Sequence, residues 1–531
     1  MVNRCPNCGG LLNYDIPTGQ LKCESCDSLI APESYASETA AKEDLEGQKY
    51  SVNIFTCPNC GGSISSNEAE AVEYCLYCGS FVTLESQIER VNRPNFILPF
   101  SKTKDECIKS YSKMIRRKLY APKEFRDEKF LSGFKGIYIP YWSYSYEFGP
   151  DIALDGVEET RKGDYVYKQH YDISCHTDGH LDGISYDASS TFDDDISSRI
   201  APFDSKKFIP FKSPYMFGFY ADTADIDSEV YAEDAAEMAR DEMWERVTKE
   251  PQIKEKKPER PSSAEKFDAT FNVKERSYLT MLPVWFLTWR DKDKVAYSVM
   301  NGSTGDIYSE VPVDPKRYLL FSLILAIPIF LILNYAFTFS ASSMLGITAI
   351  LSLTMMILYS FQLDKIVRKQ FHADDKGYTT VNKKGRAEAE KVTDNIVVEL
   401  FKCAGDILKG IGFGGVIFLI IMCFWASSWV FWAIPIFAIF AIVYSLVRIG
   451  KNGKILGYKS IWLDIIWPTA ALIISVLMLL VDPAGDEFYY VTAIVCIAGV
   501  ALSAIFTMKR YNDLVTRPVP HFYDRKAGGE N

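Results

Sequence analysis

The sequence predicts a multidomain membrane protein: two tandem four-cysteine zinc ribbons, a β-rich α+β cytosolic domain with helices, and an all-α transmembrane region of six helices. Three observations carry this. A paired Cys-x-x-Cys pattern occurs twice near the start, with the same interval between pairs in both copies. Alternating aromatic phrases follow, and then a run of long apolar stretches. At 531 residues the chain is too long for one ordinary core. The formal net charge of −10 averages over a polar first part and a very apolar last part.

The first quartet is Cys5, Cys8, Cys23 and Cys26, and the second is Cys57, Cys60, Cys75 and Cys78. Each Cys-x-x-Cys bends into a knuckle that aims two thiolates at one point, and two facing knuckles make the tetrahedral sulfur cage Zn²⁺ prefers. Gly9-Gly10 and Gly61-Gly62 allow the turn beside the metal. Two structural Zn²⁺ per chain are expected. A four-disulfide scaffold is the alternative, but it gives no reason for a repeated knuckle spacing. Met1–Gly10 contains ligands and no apolar run, so no secretory leader is expected. The scattered Cys107, Cys175, Cys403, Cys423 and Cys496 read as reduced packing residues.

The expected boundaries are ribbon 1 at 1–36, ribbon 2 at 53–88, the β-rich domain at 95–312, transmembrane helices 1–2 at 316–361, a cytosolic loop at 363–409, helices 3–6 at 410–510 and a tail at 511–531. Residues 33–50 link the ribbons. Ser101–Leu119 reads as an amphipathic helix, with Ile108, Tyr111, Ile115 and Leu119 on one stripe and Lys104, Lys109, Lys113, Arg116 and Arg117 opposite. From Gly136 to Pro312 the pattern is mostly strands. A phrase of proline followed by aromatics appears at 139–146, 213–220 and 282–289, each read as a strand with proline near its start. Met300–Gly305 reads as a hairpin turn, Ile226–Val247 as a helix and Pro251–Ser263 as a linker. His170, Cys175, His176 and His180 cluster, but neighbours on a strand point to opposite faces, so they read as ordinary strand residues. Asp193-Asp194-Asp195 reads as a solvated turn, as lone acidic runs usually are, with a Ca²⁺ site as the alternative.

The six apolar spans lie at about 318–337, 341–361, 411–427, 429–447, 462–481 and 488–508. Lys316 and Arg317, the basic residues of 365–386, those of 448–459, and Lys509 and Arg510 alternate with connections that hold no Lys or Arg. That bias predicts a multi-pass cell-membrane protein with both termini and the 363–409 loop in the cytoplasm. Within that loop Val392, Ile396, Leu400 and Ala404 suggest an amphipathic helix. Only Asp464, at the edge of the fifth span, is charged within the six.

Four cysteines close each site, whereas catalytic zinc keeps a position open for water. No Gly-x-x-x-x-Gly-Lys-Ser/Thr, Gly-x-Ser-x-Gly or His-Glu-x-x-His motif is present, so no catalytic residue is expected and the protein reads as a non-enzyme. Tyr50–Glu89 contains no Lys or Arg, while Glu68, Glu70, Glu73 and Glu85 are present, so nucleic acid is disfavoured as a partner and protein contact favoured.

On these residues the chain resembles the bacterial TFIIB-type zinc-ribbon membrane proteins. The resemblance rests on the two Cys-Pro-x-Cys-Gly-Gly ribbons, on Ile97–Phe100, on Gly136–Trp142, on Leu282–Trp285 and on Asn301–Gly305, and covers roughly residues 1–312. Some members are labelled helicase-like from the ribbons; this sequence lacks the ATPase motifs, so that label is not carried over. The resemblance implies a membrane platform for a flotillin-like (SPFH-domain) or phage-shock-type envelope-stress protein. The leading expectation is a scaffold that recruits a cytosolic protein to the lipid bilayer. A transporter or channel capped by the ribbons, and a membrane-tethered nucleic-acid binder, are the alternatives. Oligomeric state is not legible.

Overall fold

A computed structural model describes residues 3–40, 49–66, 75–81, 85–176, 179–336, 340–378, 383–392, 429–458, 461–481 and 485–524. Its first part is β-rich and its last part helical. β1 (Leu12–Asp15), β2 (Gln20–Cys23) and β3 (Leu29–Ile30) form a small antiparallel sheet of their own, followed by α1 (Pro32–Ala40).

The main sheet has twelve strands among the described residues. It contains β4 (Lys49–Thr56), β5 (Ser63–Ser66), β6 (Glu85–Asn92), β7 (Phe96–Ile97) and β8 (Lys135–Phe148). The hairpin β9 (Asp151–Lys162) and β10 (Tyr165–His176) stands outside it. β11 (Gly179–Asp187), β12 (Ile209–Pro210), β13 (Tyr220–Ala221), β14 (Lys274–Asp291), β15 (Lys294–Asn301) and β16 (Ile307–Ser309) complete it, except for one strand from the end of the chain. The long antiparallel pair β8–β14 is its spine, with Ile139 opposite Leu282.

Pro140 and Pro283 lie inside these two strands rather than near their starts. On its outer side β8 pairs with β13 up to Tyr138 and with β11 from Tyr141. β14 likewise pairs with β7 up to Met281 and with β15 from Val284. Each proline occupies the gap between two outer neighbours, where its missing N–H breaks no ladder bond. The third phrase is not a strand: Ser213–Met216 is a 3₁₀ turn, Gly218 takes φ +83° and only Tyr220–Ala221 pairs.

Alternation along the spine feeds two cores. Ile137, Ile139, Tyr141, Leu282, Val284 and Phe286 face one side with α4 (Asp194–Ile200). Tyr138, Met281, Trp285 and Leu287 face the other with α2 (Lys104–Arg117). α2 buries Cys107, Tyr111 and Ile115 and begins at a capping box of Thr103 and Glu106, which satisfies its first N–H groups. α3 (Glu128–Leu131) is a single turn beside it. α5 (Glu229–Lys249), the one-turn α6 (Pro251–Lys254) and α7 (Ala264–Phe271) follow, and α5 and α7 cover the far end of the spine, around Tyr144, Tyr146 and Phe148.

The helical part comprises α8 (Pro315–Ala336), α9 (Ala341–Gln370), the short α10 (Lys383–Glu390), α11 (Trp429–Ile455), α12 (Ile461–Val481) and α13 (Asp486–Val515). Among the described residues four helices are long and apolar enough to cross a membrane: Pro315–Leu333, Ser343–Gln370, Ile461–Val481 and Glu487–Val515. The expected span 429–447 lies within α11. The expected span 411–427 and the amphipathic stripe beyond Val392 lie outside the described residues.

Two expectations about charge change. α9 does not stop near 361 but runs to Gln370, because Leu363, Ile366 and Val367 are buried against Ile449, Ile461 and Ile465. Arg448 and Arg510, read as flanking charges, are partnered inside the bundle. Arg448 pairs with Asp364 of α9 at 3.0 Å. Arg510 Nε donates to Asp464 of α12 at 3.0 Å, and Tyr359 Oη donates to the same carboxylate at 2.6 Å.

Beyond α13 the described residues return to the β-rich part. α13 leads into β17 (Arg517–Pro518), which pairs with Lys294 and Val295 of β15. Arg517 bridges Asp193 at 2.8 Å and Glu310 at 2.6 Å. At the other end of the helical part, Asp314 N–H donates to Tyr120 O at 2.8 Å and Arg317 to Ala121 O at 2.9 Å.

Candidate metal centres

Both cysteine quartets come together as the spacing predicts, with the ligand atoms of each within 4.8 Å of one another. Across the first, Cys5–Cys26 and Cys8–Cys23 sulfurs lie 3.8 and 3.5 Å apart. Across the second, Cys57–Cys78 and Cys60–Cys75 lie 3.8 and 3.7 Å apart. A tetrahedron with metal–sulfur bonds of about 2.3 Å has edges of about 3.8 Å, whereas a disulfide needs about 2.0 Å. The donor set and spacing therefore fit a closed four-sulfur cage, with no place for a substrate or water.

The knuckles are copies of one another. Cys5 N–H donates to Gly10 O and Gly9 N–H to Cys5 O; Cys57 N–H donates to Gly62 O and Gly61 N–H to Cys57 O. Gly9 and Gly61 both take φ +75°, a conformation open to glycine at no cost. Gly10 and Gly62 N–H each donate to the second cysteine sulfur at 3.4 Å. Asn7 and Asn59 bridge to the far knuckle through Ser28 and Ser80 at 3.1 and 2.9 Å. The repeat of Cys-Pro-Asn-Cys and of a serine two residues after each last cysteine was the signal for that bridge. The Ser28 hydroxyl, then its N–H, bring Cys26 down to about 6, while the neighbouring thiols, Cys57 first, push Cys60 and Cys75 up.

Their surroundings differ. In the first cluster Cys8 and Cys26 are exposed and the unit docks through a small contact. Tyr14 N–H donates to Phe217 O at 3.0 Å, and Tyr35 meets the Phe217 ring edge-on at 5.6 Å. In the second cluster all four cysteines are buried. Its strands β4 and β5 join the main sheet through β13, which pairs with both β5 and β8. The sequence divides 53–88 from 95–312, but the two share one sheet and one core. Tyr77, inside the knuckle, donates to Asp222 at 2.7 Å, and its carbonyl accepts from Tyr297 Oη at 2.7 Å. Thr288 donates to Leu76 O, and Arg290 to Cys78 O at 2.9 Å.

The end of the chain caps this second cluster. Phe522 N–H donates to Cys60 O at 2.6 Å and Tyr523 Oη to Cys57 O at 3.0 Å. The Phe522 ring meets Tyr77 edge-on at 5.5 Å. No local pattern in the sequence marks Phe522 and Tyr523 as its partners.

Other sequence candidates fall elsewhere. His176 pairs with Asp151 at 3.1 Å and His180 with Asp182 at 2.6 Å, both at the surface. Asp193-Asp194-Asp195 is not a solvated turn: Asp193 caps α4, and Asp194 accepts from Tyr231 Oη at 2.7 Å.

The fold and sites define a class: a protein with two four-cysteine clusters, a β-rich part and apolar helices long enough to cross a membrane. Within it, the chain is similar to the uncharacterized protein YdjG of Bacillus subtilis (strain 168), 24% identical over 330 residues that cover 59% of this chain and 90% of the relative. No family model and no solved structure matches the chain.

Proposed function

We propose that this protein is a non-enzymatic integral membrane scaffold with two structural Zn²⁺, whose first ribbon recruits a cytosolic protein. The contrast between the two clusters carries the reading. The second is buried on all four cysteines and capped by the chain end, which leaves it an architectural role. The first is held out on its own sheet, with Cys8, Cys26, Leu11 and Leu29 exposed. A closed four-sulfur cage serves as a rigid platform rather than as a reaction centre. The resemblance to TFIIB-type zinc-ribbon membrane proteins suggests an SPFH-domain or phage-shock-type protein as the partner.

Six crossings are part of this reading, and the helix directions support it. α9 ends where it meets the β-rich part. α11 runs parallel to it, since Tyr444 packs near Leu353 and Ile357 while Arg448 and Asn452 reach Asp364. α12 runs antiparallel, with Asp464 at Tyr359 and Ser475 at Thr348. We place a sixth crossing in the apolar stretch 411–427, which the sequence puts between α9 and α11. The basic flanks then favour the cytoplasm for the β-rich part and both termini.

The test is removal of residues 1–36 alone, because a longer deletion cuts into the main sheet. Affinity purification from membranes should lose a partner that the full chain retains. An unchanged set of co-purifying proteins refutes recruitment by the first ribbon. The buried Asp364–Arg448 and Asp464–Arg510 pairs favour a second reading, a transporter, since ionisable groups inside a bundle often mark pathways. Solute flux through reconstituted full-length protein, abolished by Asp464→Asn, would establish that reading instead.

A further inference from the structure

Between the β-rich part and the segment that follows α9 lies a cleft of about 1250 Å³. Its walls bring together Asp187, at the end of β11, Asp193 and Asp194, at the start of α4, and His372 and Asp375, beyond α9. Asp193, His372 and Asp375 each offer a ligand atom, and these lie within 4.8 Å of one another. Asp375 is 6% exposed. Beside them Asp187 is 1% exposed, and its Oδ2 has no hydrogen-bond partner. A buried carboxylate oxygen left without a donor is costly unless a cation or a proton satisfies it.

The neighbouring cations are shared among several acids, and His372 lies 3.9 Å from Asp375. Arg517 holds Asp193 but is shared with Glu310, and Lys369 is also committed to Glu310, at 2.7 Å. Arg368 is paired with Asp374, Lys376 with Asp234 at 2.5 Å, and Arg199 with Asp195 at 2.9 Å. A divalent cation would satisfy these carboxylates together. Mixed carboxylate and imidazole donors suit a transition cation such as Mn²⁺ better than Ca²⁺ or Mg²⁺, which take oxygen, and thiolate cages compete poorly for Mn²⁺.

We propose that Asp193, His372 and Asp375, with Asp187 behind them, form a third cation site that takes a divalent transition metal such as Mn²⁺ and clamps the end of α9 to the β-rich part. Its ligands come from two regions that are also joined here by ion pairs and by hydrogen bonds from Lys376 N–H to Asp194 and Gly377 N–H to Tyr231, so occupancy would further stiffen the passage between the membrane helices and the sheet.

The experiment uses the full chain in detergent, with zinc supplied to both cysteine clusters, titrated with MnCl₂ and followed by the loss of the free Mn²⁺ resonance signal. One Mn²⁺ per chain is expected. Asp375→Asn and His372→Ala should weaken it on the order of 10- to 100-fold or more, with zinc content unchanged. Asp187→Asn should weaken it less. No Mn²⁺ uptake by the unmodified chain, or uptake that survives both ligand substitutions, overturns the proposal. If the variants fail to fold, pulsed resonance on the unmodified chain decides: nitrogen coupling from one imidazole supports the site, and bound Mn²⁺ without it overturns the assignment.

Discussion

Replacing Cys60 with serine should unfold far more than one ribbon. Cys60 lies in one buried core with Ile137, Ile139, Val284, Phe286 and Tyr297. Structural Zn²⁺ contributes roughly 10–16 kcal/mol of binding free energy to small Cys-rich folds, whereas whole domains are stable by only about 5–15 kcal/mol. Loss of the second metal therefore removes as much free energy as the β-rich part has in reserve. Cys8→Ser, by contrast, releases a unit attached through the Tyr14 N–H to Phe217 O hydrogen bond, the hydrogen bond from the Tyr215 hydroxyl to Glu33, and the ring contacts of Tyr14 with Tyr215 and Tyr35 with Phe217. Those contacts are worth roughly 3–7 kcal/mol together, less than the metal contributes to the second cluster. Hydrogen exchange read by mass spectrometry should show Cys60→Ser losing protection cooperatively across β8 and β14. Cys8→Ser should lose it only within residues 3–36. A Cys60→Ser protein that holds one zinc and still protects 135–148 and 274–291 would refute the reasoning, because the second cluster would then be an appendage.

A chelator should empty the first cluster before the second, since Cys8 and Cys26 are exposed and the second quartet is buried; a single rate for both zincs in a colorimetric release assay would contradict this. Truncation after Pro520 removes two hydrogen bonds and a ring contact from the second cluster, about 2 kcal/mol net, and should speed its zinc release roughly thirtyfold. Asp464→Asn leaves Arg510 with Asp513, at 3.0 Å, as its remaining charge partner and should cost about 1.5–3 kcal/mol, seen as a lower melting temperature in detergent. Asp464→Asn combined with Arg510→Met should recover much of that loss. Burial alone would raise the Glu310 carboxyl, but Arg517 and Lys369 outweigh it and hold the group below its ordinary range. Its contribution is thus complete above about pH 4.3 and is lost as pH falls through the lower folded value. Glu310→Gln should flatten that acid limb in a pH series of melting temperatures.

The two quartets were legible because every ligand lies within a short segment and the knuckle geometry is local. The same holds for α2, whose capping box and apolar stripe are set within about four turns, and for the Asn301–Gly305 turn, where the Asn301 side chain accepts from Ser303 and Thr304 N–H. What was not legible depends on partners far along the chain. Arg510 looks like a flanking charge until Asp464 is placed beside it, and Asp364 looks like the start of a loop until Arg448 meets it. Residues 213–220 share their wording with two strands, yet Pro214 cannot donate and Gly218 turns the backbone to positive φ. The union of the second ribbon with the main sheet passes through β13, two residues long, which is too short to leave a periodic signal.

The position of the chain end bears on how a scaffold of this design could respond to what it binds. β17 and the Phe522–Tyr523 turn tie the last apolar helix to the second cysteine cluster, and that cluster shares its core with the spine of the sheet. The first cluster reaches the same spine mainly through Phe217 and Tyr215, which Tyr14 and Tyr35 contact. Under the proposed recruitment, a partner gripping the first ribbon would pull on a narrow contact, while the apolar helices are held by a broad one. Tethering without transmission follows: the ribbon can tilt or detach at a cost of a few kcal/mol before the sheet, the second cluster or the helices are disturbed. Substitution of Phe217 by alanine should free the first ribbon and leave the zinc content, the sheet and the insertion of the helices as they were.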